Sequence, residues 1–251
     1  MTTEERKKEG KGLSRRELIV SAGKVAAGVG IVSLTGLSLL SKEAEANGGS
    51  KEVKWPWPYE KLDPDEVAGL AYENWYKEFC TYAVTSAILG SLQKKVGEPY
   101  TSFPLLSTRW GHGGAVGWGT LCGTLTGVGI VTGLIAGKEG EKILNDVIAW
   151  YTKTELPIYK PAKPKTEIKN VGKSDSPLCH ISVGKWMKKE GVVFFSPPRK
   201  ERCARLSADI AVKTVELLNL WADGNFVPVH FDQAKMHQKT AQNNCMDCHS
   251  K

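Results

Sequence analysis

Cys245-Met246-Asp247-Cys248-His249 is a C-x-x-C-H run. Two thiols one helical turn apart can each add to a vinyl group of a haem, and the imidazole that follows directly can bind its iron. A zinc half-site would need a second Cys/His pair at comparable spacing, and Cys179-His180 does not supply it. Cys245 and Cys248 are therefore expected to hold a c-type haem covalently, with His249 on the iron. The opposite face of that iron decides between electron transfer and ligand chemistry. His237, His230 and His112 are the distal candidates, with His180, Met236 and Met246 completing the inventory. Met246 lies inside the attachment loop and is poorly placed to reach the far face, so bis-histidine ligation fits best.

Four cysteines lie outside this motif: Cys80, Cys122, Cys179 and Cys203. In an oxidising compartment an even number of spare thiols reads as disulfides. Four thiolates are also the usual complement of a [2Fe–2S] or [4Fe–4S] cluster, and a structural zinc site is a third reading. The absence of a C-x-x-C pair among them argues against a zinc ribbon or finger.

The start of the chain bears on where this chemistry happens. Ser14-Arg15-Arg16-Glu17-Leu18 is a twin-arginine sequence, followed by a weakly apolar stretch from Leu18 to Leu40 and by Ala44-Glu45-Ala46, an A-x-A cleavage site. Residues 1–46 are expected to be a periplasmic export signal of the twin-arginine route, cleaved after Ala46, with no stable membrane span afterwards; an uncleaved anchor is the alternative. That route carries folded proteins, many with a cofactor already inserted, which points to a second cofactor besides the haem. The formal charge is +7 for the whole chain and +5 beyond residue 46. The lysines are scattered, so nucleic acid is not expected as a partner, while acidic redox proteins are.

The elements that must position these residues read mainly as helices, a mainly α fold. Asp63-Pro64 is an N-cap and first-turn pair opening a helix to about Leu92, with Cys80 well inside it. A Gly- and Pro-rich loop precedes an apolar helix, Leu121 to Ala136, that carries Gly123, Gly127, Gly129 and Gly133, small residues that let another backbone pack close. Glu139 to Glu155 is amphipathic and stops at Pro157. The polar stretch 160–176 is the expected internal boundary. A short helix from about Ser176 to Lys189 carries Cys179 near its start; Val192-Val193-Phe194-Phe195 is strand-like; and Arg199 to Asp223 is a second long helix carrying Cys203. Residues 47–224 thus form a helical cysteine domain and 225–251 an irregular haem-binding tail.

Cys80 within a helix, the run Gly119-Thr120-Leu121-Cys122-Gly123-Thr124-Leu125-Thr126-Gly127, and the later Cys179 and Cys203 resemble a family of redox-active proteins named for its C, GCAxxG, C, C cysteines. Such a domain followed by a haem motif and preceded by an export signal is similar to the split-Soret cytochromes c of anaerobic bacteria. The resemblance implies a homodimer with its haems close together at one end, and an iron–sulfur cluster on Cys80, Cys122, Cys179 and Cys203. Those cytochromes carry two haems per chain, whereas one complete motif is present here. Gln233-Ala234-Lys235-Met236-His237 has the length and final histidine of a second without its cysteines, so one covalent haem is expected.

Only Ser250 and Lys251 follow His249 in this sequence, so the local chain is not expected to wrap the porphyrin. Burying its apolar face, at about 25 cal/mol per Å², favours cover from a second subunit or from Trp110, Trp118 or Trp221, ordinary core packing being the alternative for each tryptophan. The expected function is exported electron transfer rather than enzyme chemistry. A haem-dependent reductase, a thiol-redox enzyme, and a mono-haem cytochrome with disulfides in place of a cluster are the alternatives.

Overall fold

The structure, a computed structural model, describes residues 53–229. The haem motif, His230, His237 and the export signal lie outside these residues. Five α-helices, which we number in chain order, build the described part: α1 Pro64–Lys95, α2 Gly123–Ala136, α3 Gly140–Lys153, α4 Cys179–Glu190 and α5 Pro197–Ala222. No strand longer than an isolated bridge is present among these residues, in line with the mainly α expectation.

The helix starts follow local chemistry. Asp63 accepts a hydrogen bond from the Asp65 N–H at 2.8 Å, Pro64 occupies the first turn, and Lys94 and Lys95 close the far end, all favourable to the helix dipole. Ser196 caps α5 through the Arg199 N–H, with Pro197 directly after it. Gly191 ends α4 at φ 74°, a left-handed position at which a Cβ is costly.

α1 and α5 form the most extensive helix pair, with α2 packed on α1 and α3 on α2. Between them lies an aliphatic core that includes Leu89, Leu92, Leu125, Val128, Ile143 and Ile210. Two glycines of α2 make the contact with α1 as close as it is. A Cβ on Gly123 would fall 2.3 Å from the Gly111 carbonyl oxygen and 2.9 Å from Cys80 Cβ, and one on Gly127 would fall 2.9 Å from Val84 Cβ. Gly129 and Gly133 meet no such backbone. The Trp55–Tyr59 segment is strapped across the bundle: Trp57 N–H donates to the Leu134 carbonyl at 2.8 Å and Tyr59 Oη to Asn219 Oδ1 at 2.8 Å.

Several elements differ from their sequence reading. α2 begins at Gly123 rather than Leu121, because Leu121 pairs with Leu178 in an antiparallel bridge. Short 3₁₀ turns occupy Tyr100–Ser102 and Leu105–Gly111 within the expected loop, and Gly137–Glu139 ahead of α3. Val192–Phe195 is not a strand. It has no partner edge to pair with and forms an exposed turn between α4 and α5. Trp110 and Trp118 are exposed, while Trp221 packs against the aliphatic core.

Candidate functional site

Cys80, Cys122, Cys179 and Cys203 are all buried, and none is in a disulfide. Each comes from a different helix or helix start. Cys80 follows an interruption of α1, where Glu78 leaves the helical region and Phe79 sits at φ 65°. A positive φ at a phenylalanine is a strained conformation, and it re-aims the next turn, which carries Cys80. Cys122 is the N-cap residue of α2 and Cys179 the first residue of α4.

Those two are brought together by a short backbone clamp. Cys122 N–H donates to the Pro177 carbonyl at 2.9 Å, Cys179 N–H to the Thr120 carbonyl at 2.7 Å, and His180 N–H to the Gly119 carbonyl at 3.1 Å. Cys203 lies on α5, with the side chain packed beside Cys80 and Cys179 in a second buried cluster that also holds Tyr72, Trp75 and Val183. No sequence period could show this proximity, since it depends on helices and a backbone clamp that join residues far apart along the chain.

The thiols feel one another. Burial, then the proximity of Cys203 and Cys122, pushes the Cys80 thiol up to about 12, against the lowering effect of N–H groups from Trp75 and Gly113. Cys179 is also raised, first by burial and then by Cys122, Cys80 and Cys203. A helix N-terminus ordinarily favours a thiolate; here burial outweighs it. The Trp75 indole N–H points at Cys80 Sγ at 3.3 Å, and Cys122 Sγ is 3.2 Å from Thr124 Oγ1. Among the described residues, no three His, Cys, Asp or Glu side chains close around a point as they would about one metal ion.

Charge accumulates beside these sulfurs. Arg202, 2% exposed, donates from Nη2 to Ser182 Oγ at 2.7 Å, while its Nε and Nη1 have no partner of acceptable geometry. Burial alone would lower its proton affinity, yet Cys203, Tyr151 and Cys122 together raise it. The Tyr151 hydroxyl, buried near Cys122 and Ser182, also lacks a well-formed hydrogen bond. Neighbouring Glu201, by contrast, is fully answered: Arg205 Nε is 2.7 Å away, Tyr72 and Tyr76 donate their hydroxyls, and the Lys165 N–H completes the set. Sequence reasoning named the four cysteines and missed Arg202, whose neighbour Cys203 was the one local cue.

An aromatic row runs outward from Cys80. Ring centroids are 5.5 Å apart for Trp75–Phe79 and 5.4 Å for Phe79–His112. His112 is thus half-buried beside the cysteines, whereas His180 is exposed. No helix of the described residues is long and apolar enough to cross a membrane.

Comparison with known proteins agrees with this arrangement. The model of the redox-active protein family C_GCAxxG_C_C matches residues 79–217, a span that contains all four buried cysteines. The chain is 35% identical over 257 aligned residues, 94% of its own length and 87% of the relative's, to a split-Soret cytochrome c of Desulfovibrio desulfuricans. A solved structure described as showing a novel iron centre in the split-Soret cytochrome c of that organism superposes with a TM-score of 0.68 at 35% identity, covering 78% of this chain and 82% of the other. On this sequence, fold and cysteine pattern, the chain belongs to the split-Soret cytochrome c family of redox proteins.

Proposed function

We infer that this protein is a periplasmic electron carrier exported by the twin-arginine route, with one haem c on Cys245, Cys248 and His249 and a [2Fe–2S] cluster on Cys80, Cys122, Cys179 and Cys203. The observation that carries the second centre is Arg202. Arg202 is a buried guanidinium with two unanswered N–H groups; the Asp209 carboxyl acts on it without forming a hydrogen bond to it, and a buried charge so poorly paired is costly. Facing four thiolates that bind iron, the same group is paired and its donors have acceptors. The donor set therefore fits an iron–sulfur group. A single tetrahedral ion would need the sulfurs closed about one point, whereas a cluster spreads its ligands over its own width, and these thiols lie near enough to act on one another.

An iron–sulfur cluster bound there would supply one-electron storage in a dry interior. The chain's own residues do the rest. Phe79, Trp75 and Val183 exclude water, and the Trp75 and Gly113 N–H groups donate toward sulfur. Arg202 offsets negative charge, and the backbone clamp between residues 119–122 and 177–180 fixes the spacing of Cys122 and Cys179. Glu201 is fully hydrogen-bonded, and the tyrosines around it stay protonated because burial and the carboxylate raise them. The distal haem ligand is drawn from His237, His230 and His112, and the working form is a homodimer with its haems close together, exchanging electrons with protein redox partners.

The test is total iron against covalent haem in protein prepared without oxygen. About three irons per haem is the result expected for a two-iron cluster beside one haem, and a ratio of one would remove the cluster.

A further inference from the structure

The segment Val192-Val193-Phe194-Phe195 has no part in the redox reading, and the fold does not bury it. Val193 is 74% and Phe195 80% exposed, at the tip of the turn joining α4 to α5. Exposed aromatic and β-branched residues side by side are unusual on a surface that could have carried polar ones. The tip is also held in shape. Gly191 ends one helix and Ser196 caps the next. The Phe194 and Phe195 rings meet edge to face at 5.1 Å, and the Arg199 guanidinium lies 4.3 Å from the Phe194 ring centroid while donating to the Phe194 carbonyl. The apolar side chains are thus displayed on a rigid mount between two capped helices.

The surroundings of the tip are basic. Lys188 and Lys200 are exposed on either side, with Lys189 and Arg199 beside them. The carboxylate in this stretch, Glu190, is occupied by the N–H groups of Lys169 and Asn170. An apolar tip flanked by exposed cations on the helix ends that carry it matches a surface that is anionic outside and hydrocarbon beneath.

We propose that the α4–α5 turn docks this protein on an anionic phospholipid bilayer, with Phe195 and Val193 entering the headgroup boundary and Lys188, Lys200 and Arg199 meeting lipid phosphates. The membrane is met peripherally; this requires no spanning helix. Because α5 also carries Cys203, docking at its start fixes how the buried cysteines are presented relative to the bilayer.

The test uses the full-length protein and vesicles of phosphatidylglycerol and phosphatidylcholine in equal parts, with pure phosphatidylcholine as the comparison, read by co-sedimentation. The protein should bind the anionic vesicles, and less so as salt rises. Phe195→Ser should weaken that binding roughly tenfold or more, and Lys188→Gln with Lys200→Gln should weaken it and flatten its salt dependence. Covalent haem content and helicity identify any variant that fails to fold, and Val193→Ser then serves in its place. Absence of binding by the unaltered protein, equal binding by Phe195→Ser, or a variant that changes the oligomeric state while leaving vesicle binding intact would each overturn the proposal, the last by making the turn a protein contact. None of these readouts depends on the metal content of the cysteine site.

Discussion

The two buried clusters of this molecule are built on different terms. The larger one is closed by aliphatic side chains such as Leu89, Leu125, Ile143 and Ile210, none with exposed surface. Its cohesion is non-directional and needs only volume and pattern. The smaller one mixes Cys80, Cys179 and Cys203 with Tyr72 and Trp75, and borders on buried Glu201 and Arg202. Buried charges are tolerated only with partners. Glu201 has four donors, but Arg202 has one acceptor and two idle N–H groups. The first cluster is closed by packing alone, whereas Arg202 beside the second keeps two N–H groups without hydrogen-bond partners.

Replacing cysteines tests that contrast most severely. Cys80→Ser, Cys122→Ser, Cys179→Ser and Cys203→Ser are each expected to abolish non-haem iron while covalent haem is kept, as measured by iron and haem assays on the same sample. A variant retaining full non-haem iron would show that its cysteine is not a ligand. In the aliphatic cluster, Leu89→Ala should do the reverse: a loss of about 2–5 kcal/mol in unfolding free energy, seen by denaturant titration, with the ratio of iron to haem unchanged.

Arg202→Gln sharpens the comparison at a finer scale. Reduction adds negative charge that the guanidinium offsets, so its removal should lower the midpoint potential of the non-haem centre, by about 59 mV for each tenfold change in equilibrium. Arg202→Lys should recover part of the shift, since it keeps the charge and loses the planar fork. An unchanged potential in Arg202→Gln would make the residue purely structural. Redox titration followed by absorbance reads both variants.

The smallest effect is a pH dependence at Asp209. Burial raises its carboxyl from 3.8 to about 7, against the pull of the Ile158 and Tyr159 N–H groups and of Arg202 and Arg205. A raised carboxyl holds a proton in the folded state that the unfolded chain has released, so its stabilising contribution is present below about pH 4 and is lost as pH rises toward 7. Asp209→Asn should flatten the fall in stability across that window, as measured by thermal melting at a series of pH values. A slope identical to that of the unaltered protein would place the titrating group elsewhere.

Much of the fold was legible because it rests on local rules. Asp63-Pro64 announced the start of α1, and the glycine spacing of α2 foretold a close backbone, which Gly123 and Gly127 provide. Val192–Phe195 misled because a run of β-branched and aromatic residues reads as a buried strand, and periodicity cannot say whether a partner edge exists. Trp110 and Trp118 were open for the same reason: a tryptophan in sequence carries no record of what surrounds it.

By itself, the sequence determined the kinds of chemistry available. A C-x-x-C-H run, four further cysteines and an α-helical pattern are properties of residue type and short spacing, so they can be read without coordinates. The tertiary structure decided that Cys80, Cys179 and Cys203 share one buried cluster with Cys122 near enough to act on it, that Arg202 stands against them with donors to spare, and that Phe195 faces outward. These depend on which helices cross and what each crossing desolvates, and contacts between residues far apart along a chain are fixed by packing and burial, not by any spacing within it.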